Sequence, residues 1–424
     1  MAGSSAHPGL DTPPGPEEAD PPPTPICQAL FPFQKRNIMT QYLVYDLILH
    51  IVVFQLVILV VSVSNIWLTH RARQHKMPSE LPKVSILVPA RNEEVNIAAC
   101  VRSLLSQDYP DFEVLVLDDQ STDNTPAILQ QVAREDPRLK VIMGSTPPVG
   151  QVGKNWACAQ LASQAQGDLL YFTDADTVHQ PQTLHTVVTA LLGEKADVLT
   201  GFPRQLVGTW GERLLVPFFS WASLSFIPLW LAYWLRSQAL SIAVGQMMLF
   251  RREAYQAVGG HAALGKNFLD DIGLVRRIKK AGLRWRVLSI ADLVKCRMYQ
   301  SSKKAYEGLT KSLFGALGYR LLPYLFITLW LLIMTWVPIV VFGLWLAGLA
   351  PLADPALLLV CLGLALLTWL FPLAEIRAPL YLVLFYPIII LANAWAMLGS
   401  LIFTLGGKLR WKDRALEKPR WKWL

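Results

Sequence analysis

The sequence predicts an α/β domain with a mostly parallel, Rossmann-like sheet, inserted between transmembrane helices. Three observations predict it. Apolar residues make up 53% of the 424-residue chain and charged residues only 17%. That exceeds the ~45–50% apolar content usual for soluble domains, and the excess gathers in a few long blocks. Between residues 83 and 300 the pattern changes to short apolar runs alternating with amphipathic stretches. Two of those runs end in paired carboxylates, Asp118 with Asp119 and Asp174 with Asp176.

Composition excludes some functions. The net charge of +8 is spread thinly, and no basic helix carries interleaved aromatics, so nucleic acid is not an expected partner. Fifteen tryptophans, several near the ends of apolar blocks, suit anchoring at a membrane interface. The five cysteines (Cys27, Cys100, Cys158, Cys296, Cys361) are scattered and form no CxxC pair. They suggest neither a zinc site nor a disulfide framework, and they fit a reducing compartment.

Residues 1–26 hold eight prolines and little that could pack, so 1–41 reads as a disordered tail. No charged stretch leads directly into a short apolar core, and a cleavable signal peptide is not expected. Residues 47–68, LILHIVVFQLVILVVSVSNIWL, make an apolar run of 22. About 20 residues cross the hydrocarbon core as a helix, so a transmembrane helix is placed at 42–70. Arg71, Arg73, Lys76 and Lys83 follow, and the positive-inside rule then puts the next domain in the cytoplasm.

That domain is expected over 80–315. KVSILVPA, FEVLVLDD, LKVIMGS and DLLYFTDAD read as four buried strands. EEVNIAACVRSLLSQ, TDNTPAILQQVARE and GKNWACAQLASQAQ read as the helices between them, with Asn124 or Thr125 capping the second and Pro126 in its first turn. Strands that are apolar throughout and separated by helices indicate a parallel sheet covered on both faces. Ligands bind such sheets beyond the carboxyl ends of the strands.

Residues 214–235, LLVPFFSWASLSFIPLWLAYWL, are long enough to span. A crossing there would put the carboxylates at 174–176 and at 270–271 on opposite sides of the bilayer. Pro217, Pro228, the serines and three tryptophans suit a segment lying in the interface. Blocks at 321–350, 356–373 and 380–405 predict about three more membrane helices within 320–406. The tail at 407–424 carries seven Lys or Arg and three Trp, and reads as clinging to an anionic leaflet. One span before the domain and three after it would leave this tail outside, against the charge rule. A hairpin in the 30-residue block, a re-entrant block or an exception to the rule would each resolve the conflict.

Three acidic clusters stand at element ends: Asp118 with Asp119, Asp174 with Asp176, and Asp270 with Asp271. Each alone has a plainer reading, as a helix cap, a polar loop, or an N-terminal complement to a helix dipole. Together they converge on one rim, where like charges destabilise the fold unless a cation or donor groups compensate. A divalent ion held by one or two carboxylates and by substrate phosphate is the usual arrangement for magnesium. A metal ion and a diphosphate are therefore expected.

The motifs VSILVPARNEE, VLVLDDQSTDNT, GKNWA, YFTDAD and FLDDIGLVRRIKKAG resemble, in order and spacing, the family 2 glycosyltransferases of the GT-A fold. The runs GQMMLFRREAYQAVGGH and RMYQSSKKAYEGLTKSLFGAL, with a late WKDR, look most like the membrane glycosyltransferases of hopanoid and carotenoid clusters, relatives of the ceramide glucosyltransferases. The resemblance implies that Pro89, Ala90 and Glu93 line a nucleoside pocket, with Glu93 reaching the ribose. It implies that Asp119 accepts from the base with Asp118 in support, and that Lys154 faces the donor phosphates. Asp174 would sit near the ribose, Asp176 would bind Mg²⁺ or Mn²⁺, and Asp271 would be the general base beside Asp270. Gly259 and Gly260 would form a loop near the acceptor, with His261 a candidate contact. The family's QxxRW is missing; Gln300 is followed by lysines, and Arg297 is the candidate substitute on the diphosphate.

The chemistry agrees with that assignment. A departing nucleoside diphosphate builds negative charge that a divalent ion neutralises. The acceptor hydroxyl must lose a proton, which a carboxylate on the opposite side of the sugar takes. The expectation is an inverting, metal-dependent transferase in a bacterial inner membrane, with its catalytic domain cytoplasmic. It would move a sugar from a nucleotide sugar, UDP by family habit, to a membrane-lipid hydroxyl. Transfer to polyprenyl phosphate, polysaccharide synthesis and a non-catalytic membrane scaffold are the rival readings.

Overall fold

The computed structural model describes residues 3, 25–349, 352–407, 410–411, 414–415 and 419–424. Most of the proline-rich tail therefore lies outside the described residues. Helix α1 (Pro25–Arg71) begins inside the stretch read as tail; Pro25 suits a helix's first turn, and the apolar residues behind it prolong the helix.

The domain opens with β1 (Val84–Ala90), α2 (Ile97–Leu105), β2 (Phe112–Asp118), α3 (Thr125–Glu135), β3 (Leu139–Met143), α4 (Gly153–Gln164) and β4 (Leu169–Phe172). Next come β5 (Thr177–His179), α5 (Thr183–Gly193), β6 (Val198–Phe202), β7 (Arg204–Gln205), α6 (Trp210–Phe226) and α7 (Leu229–Trp234). It closes with β8 (Met248–Arg251), α8 (Arg252–Ala257), α9 (Asp270–Lys280), β9 (Trp285–Ser289), β10 (Val294–Cys296) and α10 (Ser302–Ala316). Helices α11 (Leu321–Leu346), α12 (Pro355–Glu375) and α13 (Tyr386–Leu405) follow.

Seven strands form one sheet in the order β3-β2-β1-β4-β8-β6-β9, in which only β8 runs antiparallel to its neighbours. The strands β1, β2 and β4 are buried almost without interruption, as a sheet covered on both faces requires. The register pairs Ala90 with Asp118 and Leu87 with Phe172, so the carboxyl ends of these strands finish close together. The strand order reverses beside β1, and a ligand crevice belongs at that point. A second small sheet, β5-β10-β7, brings the chain after Cys296 back to the same edge. Asn124 holds the N-cap position of α3 without a capping bond; Asp123 Oδ1 accepts from Thr125 N at 3.0 Å instead. The Asn124 amide is drawn away to Glu94 Oε2 at 3.1 Å.

Among the described residues four stretches are long and apolar enough to cross a membrane: Met39–Arg71, Leu321–Leu346, Pro355–Glu375 and Leu380–Leu405. The segment at 214–235 is not among them, because α6 and α7 break apart at Ile227 and Pro228. Asn65 of α1 clasps that break. Its Nδ2 donates to Leu224 O at 2.8 Å and Ile227 O at 2.9 Å, and its Oδ1 accepts from Leu229 N at 2.8 Å. Trp221 of α6 stacks on Trp369 of α12 with ring centroids 4.1 Å apart.

The last apolar helix lies along the domain. Its beginning meets Trp210 at the start of α6 through Phe385, with ring centroids 5.5 Å apart. Asn393 donates to Leu214 O at 2.9 Å, and Ser400 Oγ accepts from Phe314 N of α10 at 3.0 Å. Residues 422–423 pair with 319–322, where α11 leaves the domain. Both ends of Leu380–Leu405 thus stay beside the domain. Leu215, Leu313, Phe314, Tyr324 and Met397 share one buried cluster, which packs α6, α10, α13 and the start of α11 together.

Candidate active site

Two loops are stitched together at the carboxyl edge of the sheet. Asn92 (φ 51°) and Gln120 (φ 57°) both sit in the left-handed region, which costs non-glycine residues energy and concentrates at functional sites. Bonds across the loops hold them there: Asn92 N donates to Ser121 Oγ at 2.9 Å, and Asn92 Oδ1 accepts from Thr122 N at 2.8 Å. The Arg91 guanidinium donates to the Asp119 carbonyl. Asp118 is buried, with Oδ1 accepting from Ser121 N at 3.3 Å and Oδ2 lacking a hydrogen-bond partner.

Beyond β4, Lys154 from the first turn of α4 bridges Asp174 at 2.9 Å and Asp270 at 3.3 Å. Burial would depress the Lys154 pKa, but these two carboxylates hold it well above the usual value. Among the described residues no ion pair reaches Asp176. Burial, with Asp174 and Glu93 adding repulsion, pushes its pKa up to about 7, and its Oδ1 is buried without a hydrogen-bond partner. An uncompensated buried carboxylate oxygen is a poor structural solution and a good metal ligand. Among the described residues no three His, Cys, Asp or Glu side chains converge into a ready-made metal cage. The donor set fits an ion whose shell is completed by water and phosphate.

Asp270 and Asp271 begin α9. Burial works against ionisation of Asp270, yet Lys154 and then His261 keep its pKa low. Asp271 has no cation in contact; burial first and Asp270 second raise its pKa to about 7. Its Oδ2 accepts from Gly245 N at 3.1 Å, and its Oδ1 accepts from Ile272 N at 2.7 Å. Two adjacent carboxylates are thus driven apart, one held ionised and one poised near neutrality.

A cavity of about 330 Å³ joins these pieces. Pro89, Ala90, Glu93, Asp119, Lys154, Asp174, Asp176, Asp270 and Asp271 all line it, so the structure brings together nine of the predicted residues. Asp118 lies behind Asp119. Arg297 and Gln300 do not line the cavity; Arg297 faces Glu212 at 3.6 Å, and their neighbours Met298 and Tyr299 take the wall instead. Gly259 and Gly260 line a separate groove with Tyr255. Both have positive φ, and a Cβ on Gly260 would strike the Tyr255 ring at 2.4 Å, so glycine there serves close packing. His261 is buried behind the cavity, bonded to Tyr255 Oη at 2.8 Å and 4.0 Å from Asp270.

Sequence reasoning missed Arg91, Gln246, Met298, Tyr299, Lys311 and Ser312 in the wall. Lys311 follows Lys304 by seven residues on α10 and so shares its helix face, a signal that was available. Arg91 adjoins the predicted Ala90, whereas Gln246, Met298 and Tyr299 come from segments whose approach only the tertiary fold specifies. A second cavity of about 180 Å³ shares Lys154, Asp174, Asp271 and Tyr299 with the first, and continues among Val216 and Phe219 of α6 and Leu309 and Leu313 of α10.

Residues 85–259 match the family model described as Glycosyl transferase family 2. The chain carries a glycosyltransferase family 2 domain. It is 31% identical to beta-monoglucosyldiacylglycerol synthase of Trichormus variabilis over 215 residues, 49% of this chain and 43% of that relative. It is 26% identical to 4,4'-diaponeurosporenoate glycosyltransferase of Staphylococcus haemolyticus, over 54% of this chain and 60% of that one. The chain thus spans less than two thirds of either relative. A solved mannosyltransferase from Pyrobaculum calidifontis, in complex with GDP-Man and Mn²⁺, aligns with 87% of this chain and all of its own at 17% identity, with a TM-score of 0.45.

Proposed function

We propose that the protein is a membrane-anchored inverting glycosyltransferase that moves a sugar from a nucleotide sugar to the hydroxyl of a membrane lipid. One observation carries the reading: the acidic cavity opens at Asp271 into the apolar one between α6 and α10. A water-soluble acceptor has no use for walls of Val216, Phe219, Leu309 and Leu313. The first relative is named for a diacylglycerol product, which agrees with an acyl-lipid acceptor.

Asp176, with its unpartnered Oδ1, would hold Mg²⁺ or Mn²⁺. Bound there, the ion supplies Lewis-acid neutralisation of the leaving diphosphate. Asp119, Glu93 and the ends of β1 and β2 would seat the nucleoside, and Lys154 adds positive charge at the phosphates. Asp271, at the joint of the two cavities, takes the acceptor's proton as the oxygen attacks the anomeric carbon and the diphosphate leaves from the opposite face. A pKa near 7 suits a base working at neutral pH.

Nucleotide release and lipid products should be measured with UDP- and GDP-sugars, with and without Mg²⁺ or Mn²⁺. Asp271→Asn should abolish transfer by a factor of ~10²–10⁴ while donor binding survives. Equal loss of donor binding and transfer in this variant would overturn the role. Product from a polyprenyl phosphate and not from neutral lipids would move the acceptor to the rival class.

A further inference from the structure

A second charged cavity, of about 160 Å³, lies between α7 and the turn from α9 to β9, and shares no residue with the acidic one. Tyr233, Trp234, Arg236, Lys279, Arg284 and Arg286 line it. Arg286 pairs with Glu194 at 3.0 Å. Among the described residues no ion pair joins Arg236, Lys279 or Arg284 to a carboxylate. Lys279 is the telling member, because it is only 4% exposed. Its Nζ donates to the carbonyls of Ala232 at 3.0 Å and Leu240 at 2.7 Å, and sits 5.3 Å from the Trp285 ring centroid. Burial pulls its pKa down to about 8, and no acid offsets that. A buried cation without a counter-ion is costly, and two further guanidinium groups stand exposed at the same opening. An anion removes that cost.

The surroundings say which anion. Trp230, Trp234 and Leu235 on and just after α7 are exposed. Helix α7 begins at the break that Asn65 clasps, near the end of the first apolar helix, where Arg71 covers the exposed ring of Trp67. Exposed tryptophans at that level belong to a membrane interface, and basic pockets there receive lipid head groups. We propose that the cavity between α7 and β9 binds the phosphate of an anionic phospholipid head group, seating α7 on the bilayer surface. The site stands apart from sugar transfer, and its test requires no turnover.

The test uses the full-length protein in a neutral detergent, titrated with phosphatidylglycerol, phosphatidylcholine or soluble glycerol phosphate. Phosphatidylglycerol should raise the unfolding midpoint by several degrees, and phosphatidylcholine should not. Arg236→Glu combined with Arg284→Glu should lose at least half of that rise, and native mass spectrometry should count one fewer retained phosphatidylglycerol. Both arginines are exposed, so the fold does not depend on them; Arg236→Gln, read by the lipid count alone, repeats the test with a milder change. An undiminished rise in the double variant, an unchanged lipid count, or an equal rise from phosphatidylcholine would overturn the proposal. An equal rise from glycerol phosphate would mark a free-phosphate site and overturn it as well.

Discussion

Lys154 shows how one side chain organises the residue scale. Its single charge bridges Asp174 and Asp270, and among the described residues no ion pair reaches Asp176 or Asp271. Those two are the groups whose pKa values rise to about 7. Asp176→Asn removes a charge that burial and Asp174 disfavour, so the metal-free protein should gain stability, seen as a rise in the thermal midpoint. The same variant should lose any midpoint shift on adding Mn²⁺. For Asp271 the sign follows from a folded pKa above the unfolded carboxylate value. The protonated form is favoured in the fold, and the base appears as pH rises through about 7. The kcat/KM profile should climb about tenfold per pH unit below that value and level off above it, and Asp271→Asn should erase the limb.

At the scale of elements, the break between α6 and α7 is the vulnerable joint. Pro228 cannot donate, and the Asn65 amide donates to two backbone carbonyls at the interruption. Asn65→Leu leaves Leu224 O, Ile227 O and Leu229 N without this partner, two of these bonds being fully buried. At ~1–3 kcal/mol each, the loss should appear as a marked drop in the thermal midpoint and as proteolysis near residue 227. The strands and acidic ends of this domain were legible because buried parallel strands leave continuous apolar runs and carboxylates stand out beside them. The Trp-rich segment also disclosed its helix breaker. Illegible were the wall residues Met298 and Tyr299, since β10 is placed by pairing with β5 and β7, strands far back in the sequence. Arg297 was chosen for its charge, yet the backbone turns it to Glu212.

Over the whole molecule, hydropathy counted helices without telling which way they run. Leu380–Leu405 has the composition of a span, but its contacts with α6 and α10 keep both ends beside the domain. We propose that α1, α11 and α12 cross and the last helix does not, which would put the basic tail on the domain's side as the charge rule expects. A reporter fused after Leu424 should therefore be shielded or labelled together with one placed in the catalytic domain. Opposite labelling would show that the last helix crosses.

The joined cavities have a kinetic meaning. If the sugar nucleotide is drawn from water and the acceptor slides in sideways from the oil, the two reactants obey different measures of abundance. Velocity should then follow the acceptor's mole fraction in the leaflet, and diluting the bilayer with inert lipid should slow the enzyme even when the acceptor's amount per millilitre stays fixed.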